Sequence, residues 1–167
     1  MPTNLYDLNF ELEKNRYKIL PYLKFPLKAP KPRYIQATKL RDRIFQRSLC
    51  DNGLYEVIAQ RFVFDNLACQ KGKGLTIGIQ RVRQHLHNYF DTYKTNKGYY
   101  VKFDIRHYFD STPHDLLKQT VERAVIEPHF VKRCFEIIDS FKDNRSEEEI
   151  KNDPFGERGV GLGSQCS

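Results

Sequence analysis

A run of thirteen residues, 101–113, constrains the fold of this chain more than any other part of the sequence. It reads Val-Lys-Phe-Asp-Ile-Arg-His-Tyr-Phe-Asp-Ser-Thr-Pro and follows Tyr99 and Tyr100. The aromatic and β-branched residues at its start predict a strand over 98–105. Thr112 is a suitable N-cap and Pro113 suits the first turn, so a helix is predicted from there to about residue 124.

Asp104 stands near the end of that predicted strand. A buried carboxylate is costly unless a cation or hydrogen bonds compensate its charge, which makes Asp104 a candidate metal ligand. An Asp that caps a turn after a strand explains the residue equally well.

Composition limits the class of protein. With 167 residues, 40% hydrophobic and 29% charged, the chain is long enough for one globular domain with a core. Its apolar runs are too short to cross a bilayer and its N-terminus lacks a signal sequence, so we expect a soluble, cytoplasmic protein without a membrane partner. The four cysteines form no CxxC pair, which favours reduced thiols over disulfides or a zinc site.

The charge is distributed unevenly along the chain. Residues 14–47 contain eleven Lys or Arg and one acid, whereas residues 110–157 contain twelve acids and seven bases. A basic N-terminal part with interleaved aromatic residues suits backbone and stacking contacts with a nucleic acid. A merely solvated basic surface is the alternative.

Hydrophobic spacing and turn residues predict the remaining elements. We expect a β-hairpin built from an extended segment 17–28, a Pro-rich turn and a return strand 33–38. Segment 142–157 is polar and is predicted to be a mobile loop. Helices are predicted over 4–15, 40–64 with a break at 51–53, 76–93 and 127–141.

Residues 71–74, Lys-Gly-Lys-Gly, stand directly before the helix predicted at 76–93. Backbone N–H groups at a helix N-terminus favour anions, so this segment is a candidate phosphate cradle. It lacks the GxxxxGK[ST] spacing of a P-loop, and a plain surface turn is the alternative.

Four blocks of sequence, in order, resemble the conserved blocks of prokaryotic reverse transcriptases of the group II intron, retron and diversity-generating kinds. Arg33 followed by Arg-Asp-Arg-Ile-Phe-Gln at 41–46 resembles the first finger block, and 66–74 resembles the second. Segment 103–114 is similar to catalytic motif A of the palm. Segment 159–167, Gly-Val-Gly-Leu-Gly-Ser-Gln-Cys-Ser, is similar to the Gly-rich block that follows it, with Gly161 where the family usually has Pro.

The resemblance implies an α+β fold: the fingers and an incomplete palm of a right-hand polymerase, with helices packed on a small antiparallel sheet and no thumb. It implies a fingers subdomain over 1–97 and a partial palm over 98–167. The implied activity is RNA-directed DNA polymerisation, a nucleotidyl transfer, in a prokaryotic cytoplasm. The partners would be an RNA template with its primer and deoxynucleoside triphosphates.

The resemblance also implies roles for the palm residues. Two Mg²⁺ ions clamp the phosphoryl transfer in such enzymes. Asp104 would be a catalytic carboxylate and metal ligand, and the backbone carbonyl of Ile105 a second ligand. Phe109 would be the steric gate that excludes a 2′-hydroxyl, unless it is only a packing residue. Leu162 and Gly163 would form the floor of the nucleotide pocket.

Basic residues are implied to hold the substrates. Arg33, with Lys28 or Lys31, would contact the nucleotide triphosphate. The nucleic acid would be contacted through five further basic residues, for which solvated side chains are the alternative: Arg41, Arg43, Lys71, Lys73 and Arg81.

The family's second carboxylate pair, in a Tyr-x-Asp-Asp hairpin, does not occur in this sequence. We therefore expect a truncated, catalytically inactive piece of a longer enzyme, without bound Mg²⁺ and with an unpaired palm edge that favours self-association. The alternative function is a non-catalytic RNA-binding module with a polymerase-like fold. A basic scaffold with neither role is a third reading.

Overall fold

A computed structural model describes residues 2–28, 30, 32–143 and 145–160 of the chain. The fold is α+β with a two-stranded antiparallel sheet, which confirms the predicted class at that level. The strands are β1 (Leu23–Leu27) and β2 (Arg33–Ala37). The helices are α1 (Pro2–Glu13), α2 (Leu40–Leu49), α3 (Tyr55–Ala59), α4 (Leu75–Tyr93), α5 (Tyr108–Ser111), α6 (His114–Ala124), α7 (Pro128–Ser140) and α8 (Glu147–Asn152).

The chain divides into two compact units. The first unit combines Met1–Glu56 with Arg106–Ser167, and the second unit is Val57–Ile105. No helix in the described ranges is long and apolar enough to cross a membrane.

The predicted basic hairpin is confirmed. β1 and β2 pair antiparallel, with Leu23 opposite Ala37 and Leu27 opposite Arg33. Because side chains alternate along a strand, Leu23, Phe25 and Leu27 share one face of the ribbon. All three are exposed, so this short sheet carries an apolar face within the first unit.

The helical break predicted at 51–53 is a π-helical turn over Cys50–Leu54, which joins α2 to α3 without ending the helix. Gly53 lies in this turn. A Cβ atom at that position would stand 2.6 Å from the Phe130 ring of α7. Glycine therefore allows the π-helical turn and α7 to pack in direct contact.

The core of the first unit lies between α1, α2, α6 and α7. α7 begins at Pro128, and the Glu127 carboxylate accepts hydrogen bonds from its first N–H groups. Tyr17 packs on Phe45 with ring centroids 4.6 Å apart. The buried apolar side chains include Leu8, Tyr17, Phe45, Leu49, Val121, Ala124, Cys134, Ile137, Ile138 and Phe141. Each large member contributes roughly 1.5–3 kcal/mol to folding.

A buried carboxylate lies at the edge of this core. Asp42 is completely buried. Its Oδ1 accepts a hydrogen bond from the Tyr17 hydroxyl at 2.8 Å, and its Oδ2 accepts one from the Leu20 amide at 3.0 Å. Burial, followed by the hydrogen bond to Asp42, raises the pKa of the Tyr17 phenol well above its ordinary value. Asp42 thereby joins α2 to the segment that leads into the hairpin.

The strand predicted over 98–105 is wrong. These residues form no regular element, and the side chains from Tyr99 to Ile105 are exposed, with Phe103 at 87%. β-Propensity expresses packing against neighbouring strands more than a backbone preference. No strand in the described ranges pairs with this segment, so its apolar residues stay exposed to solvent.

The second unit is built around α4, which the sequence predicted. None of its described side chains is buried. Six exposed apolar side chains of α4 recur at intervals of four and three residues: Leu75, Ile79, Val82, Leu86, Tyr89 and Tyr93. Such spacing gives a helix one apolar stripe, here open to solvent.

The prediction of a mobile loop over 142–157 is also wrong. The segment contains α8, which begins with a complete capping box between Ser146 and Glu149. Arg145 and Arg158 bridge Asp143 and Asp153, so the turns around α8 are held by charge-assisted hydrogen bonds. Polar composition concealed a short helix because its stability comes from capping and ion pairs and owes little to an apolar stripe.

Candidate functional site

Parts of two blocks singled out in the sequence, residues 109–114 and 159–160, lie side by side in the first unit. The Val160 amide donates to the Phe109 carbonyl at 2.7 Å, and the Gly159 amide donates to the Thr112 carbonyl at 2.9 Å. Pro113 and Arg158 form an antiparallel bridge. The start of the Gly-rich block is thus hydrogen-bonded along the second half of the motif A block.

Local turns bring these segments into register. His107 has a left-handed backbone, φ 51°, from which the single turn α5 begins. The Thr112 hydroxyl donates to the Tyr108 carbonyl at 2.7 Å and so closes α5. The prediction of Thr112 as the N-cap of the next helix is wrong, because Pro113 holds that position and α6 begins at His114.

His114 is the residue that sequence reasoning missed here. Its side chain is 2% exposed, and its Nε2 donates to the Gly159 carbonyl at 2.7 Å. Its Nδ1 lies 3.5 Å from a carboxylate oxygen of Glu157. The spacing of His114, Val121 and Ala124 places all three on the buried side of α6, and this spacing was the available signal.

Phe109, the predicted steric gate, is half-buried in this pairing. Its ring meets Tyr108 edge to face at 5.3 Å between centroids. A Cβ atom added at Gly159 would lie 3.8 Å from the Phe109 carbonyl oxygen, so the two backbones approach closely. The Phe109 backbone thus pairs with the start of the Gly-rich block, while part of its ring remains accessible, and its role as a steric gate or a packing residue stays a prediction.

Asp104 and Ile105 belong to the second unit and are exposed. Among the described residues, no group of three or more His, Cys, Asp or Glu side chains is placed to hold a metal ion. Asp104 offers the hard oxygen that Mg²⁺ prefers. A single carboxylate does not fit a two-ion site, so no catalytic step is assigned through Mg²⁺, and the metal assignment stays a prediction.

The residues predicted to hold the triphosphate are placed only in part. Lys28 is exposed and follows β1 directly. The backbone of Arg33 pairs with Leu27 in the hairpin, and its side chain lies outside the described part of the structure. Lys31, Leu162 and Gly163 also lie outside the described residues.

Arg41, predicted to bind nucleic acid, is engaged within the first unit. Its Nη1 donates to both carboxylate oxygens of Glu11, at 3.0 and 2.7 Å, and its Nη2 donates to the Lys18 carbonyl at 2.6 Å. Its guanidinium also lies 5.1 Å from the centre of the Tyr17 ring. These contacts tie α1 to α2. Arg43, on the same helix, is exposed.

The other three predicted nucleic-acid contacts lie in the second unit. Lys73 donates from Nζ to the Phe64 carbonyl at 2.7 Å, and Arg81 donates from Nε to Asp65 at 2.6 Å. Lys71 is exposed in the turn before α4, where Gly72 has a left-handed backbone, φ 73°. The second finger block thus carries the basic side chains Lys71 and Lys73 directly before the N-terminus of α4.

An ion network supports the segment that leads into the Gly-rich block. Arg158 donates to both oxygens of Asp153, at 2.6 and 2.7 Å, and its amide donates to Asp143 at 2.8 Å. Arg145 contacts both carboxylates. The Arg145 guanidinium holds the pKa of Asp143 at about 2, and Arg158 lowers the pKa of Asp153 below its usual range.

No protein-family model and no curated protein matches this sequence.

Proposed function

We propose that this chain supplies the fingers and part of the palm of a prokaryotic reverse transcriptase. In that role it binds an RNA template with its primer and a deoxynucleoside triphosphate. The proposal rests on the resemblance of the four sequence blocks to those of the family. The hydrogen-bonded pairing of segment 109–114 with 157–160 is the structural observation that supports it most.

The pairing supports the proposal because segment 109–114 carries Phe109, and segment 157–160 precedes Leu162 and Gly163 in the sequence, which lie outside the described residues but are assigned to the same nucleotide pocket. Phe109 is assigned to the sugar and the Gly-rich block to the pocket floor. Residues that contact one ligand must be close in space. His114 and Gly159, which are in contact between the two blocks, are 45 residues apart in the sequence. If these short blocks resembled the family only by chance, there would be no reason for them to be in contact.

Charge supports the nucleic-acid part of the proposal. The net charge is +7, and Lys28, Arg43 and Lys71 are exposed basic side chains within the two finger blocks and the hairpin. Neutralising phosphates releases counterions, so binding of this kind weakens steeply with added salt.

Binding of a labelled single-stranded RNA, followed by fluorescence anisotropy over a series of salt concentrations, tests this role. The log of the affinity should fall linearly with the log of salt concentration. The double variant Arg33→Ala/Lys71→Ala should weaken binding and reduce the slope by about 1.4, since each phosphate contact contributes about 0.7 for single strands.

The matched control removes two exposed lysines from the acidic C-terminal part, Lys132→Ala/Lys151→Ala. It changes the net charge equally and should leave the slope unchanged. Absence of RNA binding by the unmodified chain would overturn the proposed function. Equal losses of RNA affinity in the two double variants would show that binding depends on net charge and not on the positions of Arg33 and Lys71.

A non-catalytic RNA-binding module is the second candidate, favoured by the exposed, isolated position of Asp104. Nucleotide binding separates the two functions. A reverse transcriptase should prefer dGTP to GTP in equilibrium dialysis with a primed template, and Phe109→Ala should remove that preference. Tyr6→Ala, at a 73% exposed position of α1, is the control. An RNA-binding module should show no preference in any of the three proteins.

A further inference from the structure

The second unit holds an aromatic side chain in an unusual setting. Phe64 lies in the segment before α4, and its side chain is 71% exposed. The Lys73 ammonium lies 5.2 Å from the centre of its ring, and the Arg81 guanidinium lies 4.8 Å from it. An exposed aromatic ring is therefore flanked by two cations that come from different parts of the chain.

The two cations are fixed by the polypeptide around the ring. Lys73 donates to the carbonyls of Phe64 and Asn66, at 2.7 and 3.2 Å. Arg81 donates to both carboxylate oxygens of Asp65, at 2.6 and 3.3 Å. Each cation is thus anchored to the backbone or side chain next to Phe64, and this arrangement orients the exposed ring in advance of any ligand.

A second side chain of helix α4 also contacts Asp65. His85, one turn beyond Arg81, places Nε2 at 2.7 Å from Asp65. Asp65 is therefore hydrogen-bonded by two side chains of α4, and the Arg81 guanidinium balances its negative charge. Lys71 stands exposed nearby in sequence. The surface around Phe64 remains basic despite the presence of one acid.

An exposed ring with basic neighbours suits one class of ligand. Bases of a single strand stack on aromatic side chains while Lys and Arg contact the phosphates, with little dependence on sequence. Bases inside a duplex are already stacked on each other, so their faces are not accessible to a protein ring. The arrangement therefore favours an unpaired strand over a duplex.

We propose that Phe64, flanked by Lys73 and Arg81, is a stacking platform for an unpaired base of a single-stranded nucleic acid. This inference rests on the proposed function, because it takes a nucleic acid as the partner. It specifies that the base stacks on Phe64, and it predicts a preference for single strands. The basic residues alone predict neither.

Three variants of the full chain test the platform by binding of a labelled twelve-nucleotide single-stranded RNA. Phe64→Leu keeps an apolar side chain but removes the ring, and it should weaken binding by roughly tenfold. Phe64→Tyr keeps the ring and should bind like the unmodified chain. Phe155→Leu removes another exposed ring, one that has Arg158 5.4 Å from its centre, and should leave affinity unchanged.

A second measurement uses only the unmodified chain and so does not depend on how variants fold. Its affinity for the same RNA should exceed its affinity for an abasic strand of equal length and for a duplex, compared at one salt concentration. Equal affinity for the normal and the abasic strand would overturn the platform.

The two proposals fail in different ways. If the unmodified chain binds no RNA, the proposed function is wrong and the platform falls with it. If RNA binding is salt-dependent but unchanged by Phe64→Leu, with unchanged circular dichroism, the platform alone is wrong.

Discussion

At the scale of single residues, some charged side chains of this chain stabilise the fold and others form its basic surface. Sequence counting treats Arg41 and Asp42 as members of one basic surface. The structure buries Asp42 completely and engages Arg41 with Glu11, so both serve the fold. Burial of a charged side chain depends on partners distant in sequence, here Tyr17 and Glu11, and local composition does not contain that information.

Tyr17→Phe should destabilise the protein by about 1–3 kcal/mol, because it leaves a buried carboxylate oxygen of Asp42 without its donor. Urea unfolding followed by circular dichroism measures the loss. Tyr6→Phe makes the same chemical change at a 73% exposed position and should have no effect. Equal midpoints for the two variants would contradict the structural role of the hydrogen bond.

At the scale of elements, regular helices were the most predictable feature. α4 and α7 match their predicted bounds closely, because each carries a long apolar stripe with helical spacing. The hairpin was predicted because prolines mark its turn. The strand predicted over 98–105 did not form, since a strand forms only where a partner strand is present, and sequence does not reveal whether one is.

The candidate site, too, could be found from the sequence only in part. Its two blocks were found from sequence, but their pairing was not, and His114 was missed. A histidine at the start of a helix has several ordinary explanations, and its burial depends on Glu157 and Gly159 more than forty residues later. Blocks of contiguous residues could therefore be recognised in the sequence, whereas the contacts between them could not be predicted, and the chemistry assigned to the blocks stays a prediction.

Gly53→Ala tests the contact between the π-helical turn and α7. The new methyl group would stand 2.6 Å from the Phe130 ring, and overpacking of this kind costs about 1–3 kcal/mol. A gain in helix propensity of up to about 1 kcal/mol opposes that cost. We expect net destabilisation by thermal unfolding, relieved in the double variant Gly53→Ala/Phe130→Leu.

Gly78→Ala is the control for that substitution. Gly78 lies inside α4, and its new methyl group would meet only the flexible end of Leu67, at 3.1 Å. The change should be neutral or stabilising. If Gly53→Ala behaved in the same way, the close packing of the π-helical turn against α7 would be contradicted.

The ion network around α8 predicts a pH dependence. The Arg145 guanidinium holds the pKa of Asp143 at about 2, against an ordinary value of 3.8. Between these values the unfolded chain binds the proton and the folded chain does not, so stability present above pH 4 is lost as the pH falls towards 2. Asp153 shifts in the same direction because of Arg158.

Asp143→Asn should make the urea midpoint lower at pH 6 and less dependent on pH between 4 and 2. The exposed carboxylate variant Asp7→Asn is the control and should retain the dependence of the unmodified chain. A steep acid loss that persisted unchanged in Asp143→Asn would show that other carboxylates control acid stability.

At the scale of the whole molecule, the two units differ in how they are stabilised. The first unit has a buried core, whereas the described part of the second unit buries no side chain and exposes the apolar stripe of α4. Contiguous apolar surface of this kind is uncommon on monomeric proteins and usually marks a contact surface or an aggregation risk.

Leu86→Glu should therefore reduce the fluorescence of a bound apolar dye such as ANS, because it places a charge in the middle of the exposed stripe. Gln84→Glu adds the same charge on another face of α4 and should leave dye binding unchanged. Identical dye fluorescence in the two variants would show that the stripe is not the dye-binding surface.

The discontinuous first unit has a consequence for synthesis. The Tyr22 hydroxyl contacts Ser140 at 2.7 Å across 118 residues of sequence. At about 5–20 residues per second, a ribosome needs roughly 6–24 s to make the intervening chain. For that interval α1, the hairpin and α2 are without α7, and the apolar side chains that α7 would contact stay exposed. A chaperone that binds nascent chains would meet this protein before the N-terminal and C-terminal parts of the first unit have packed together.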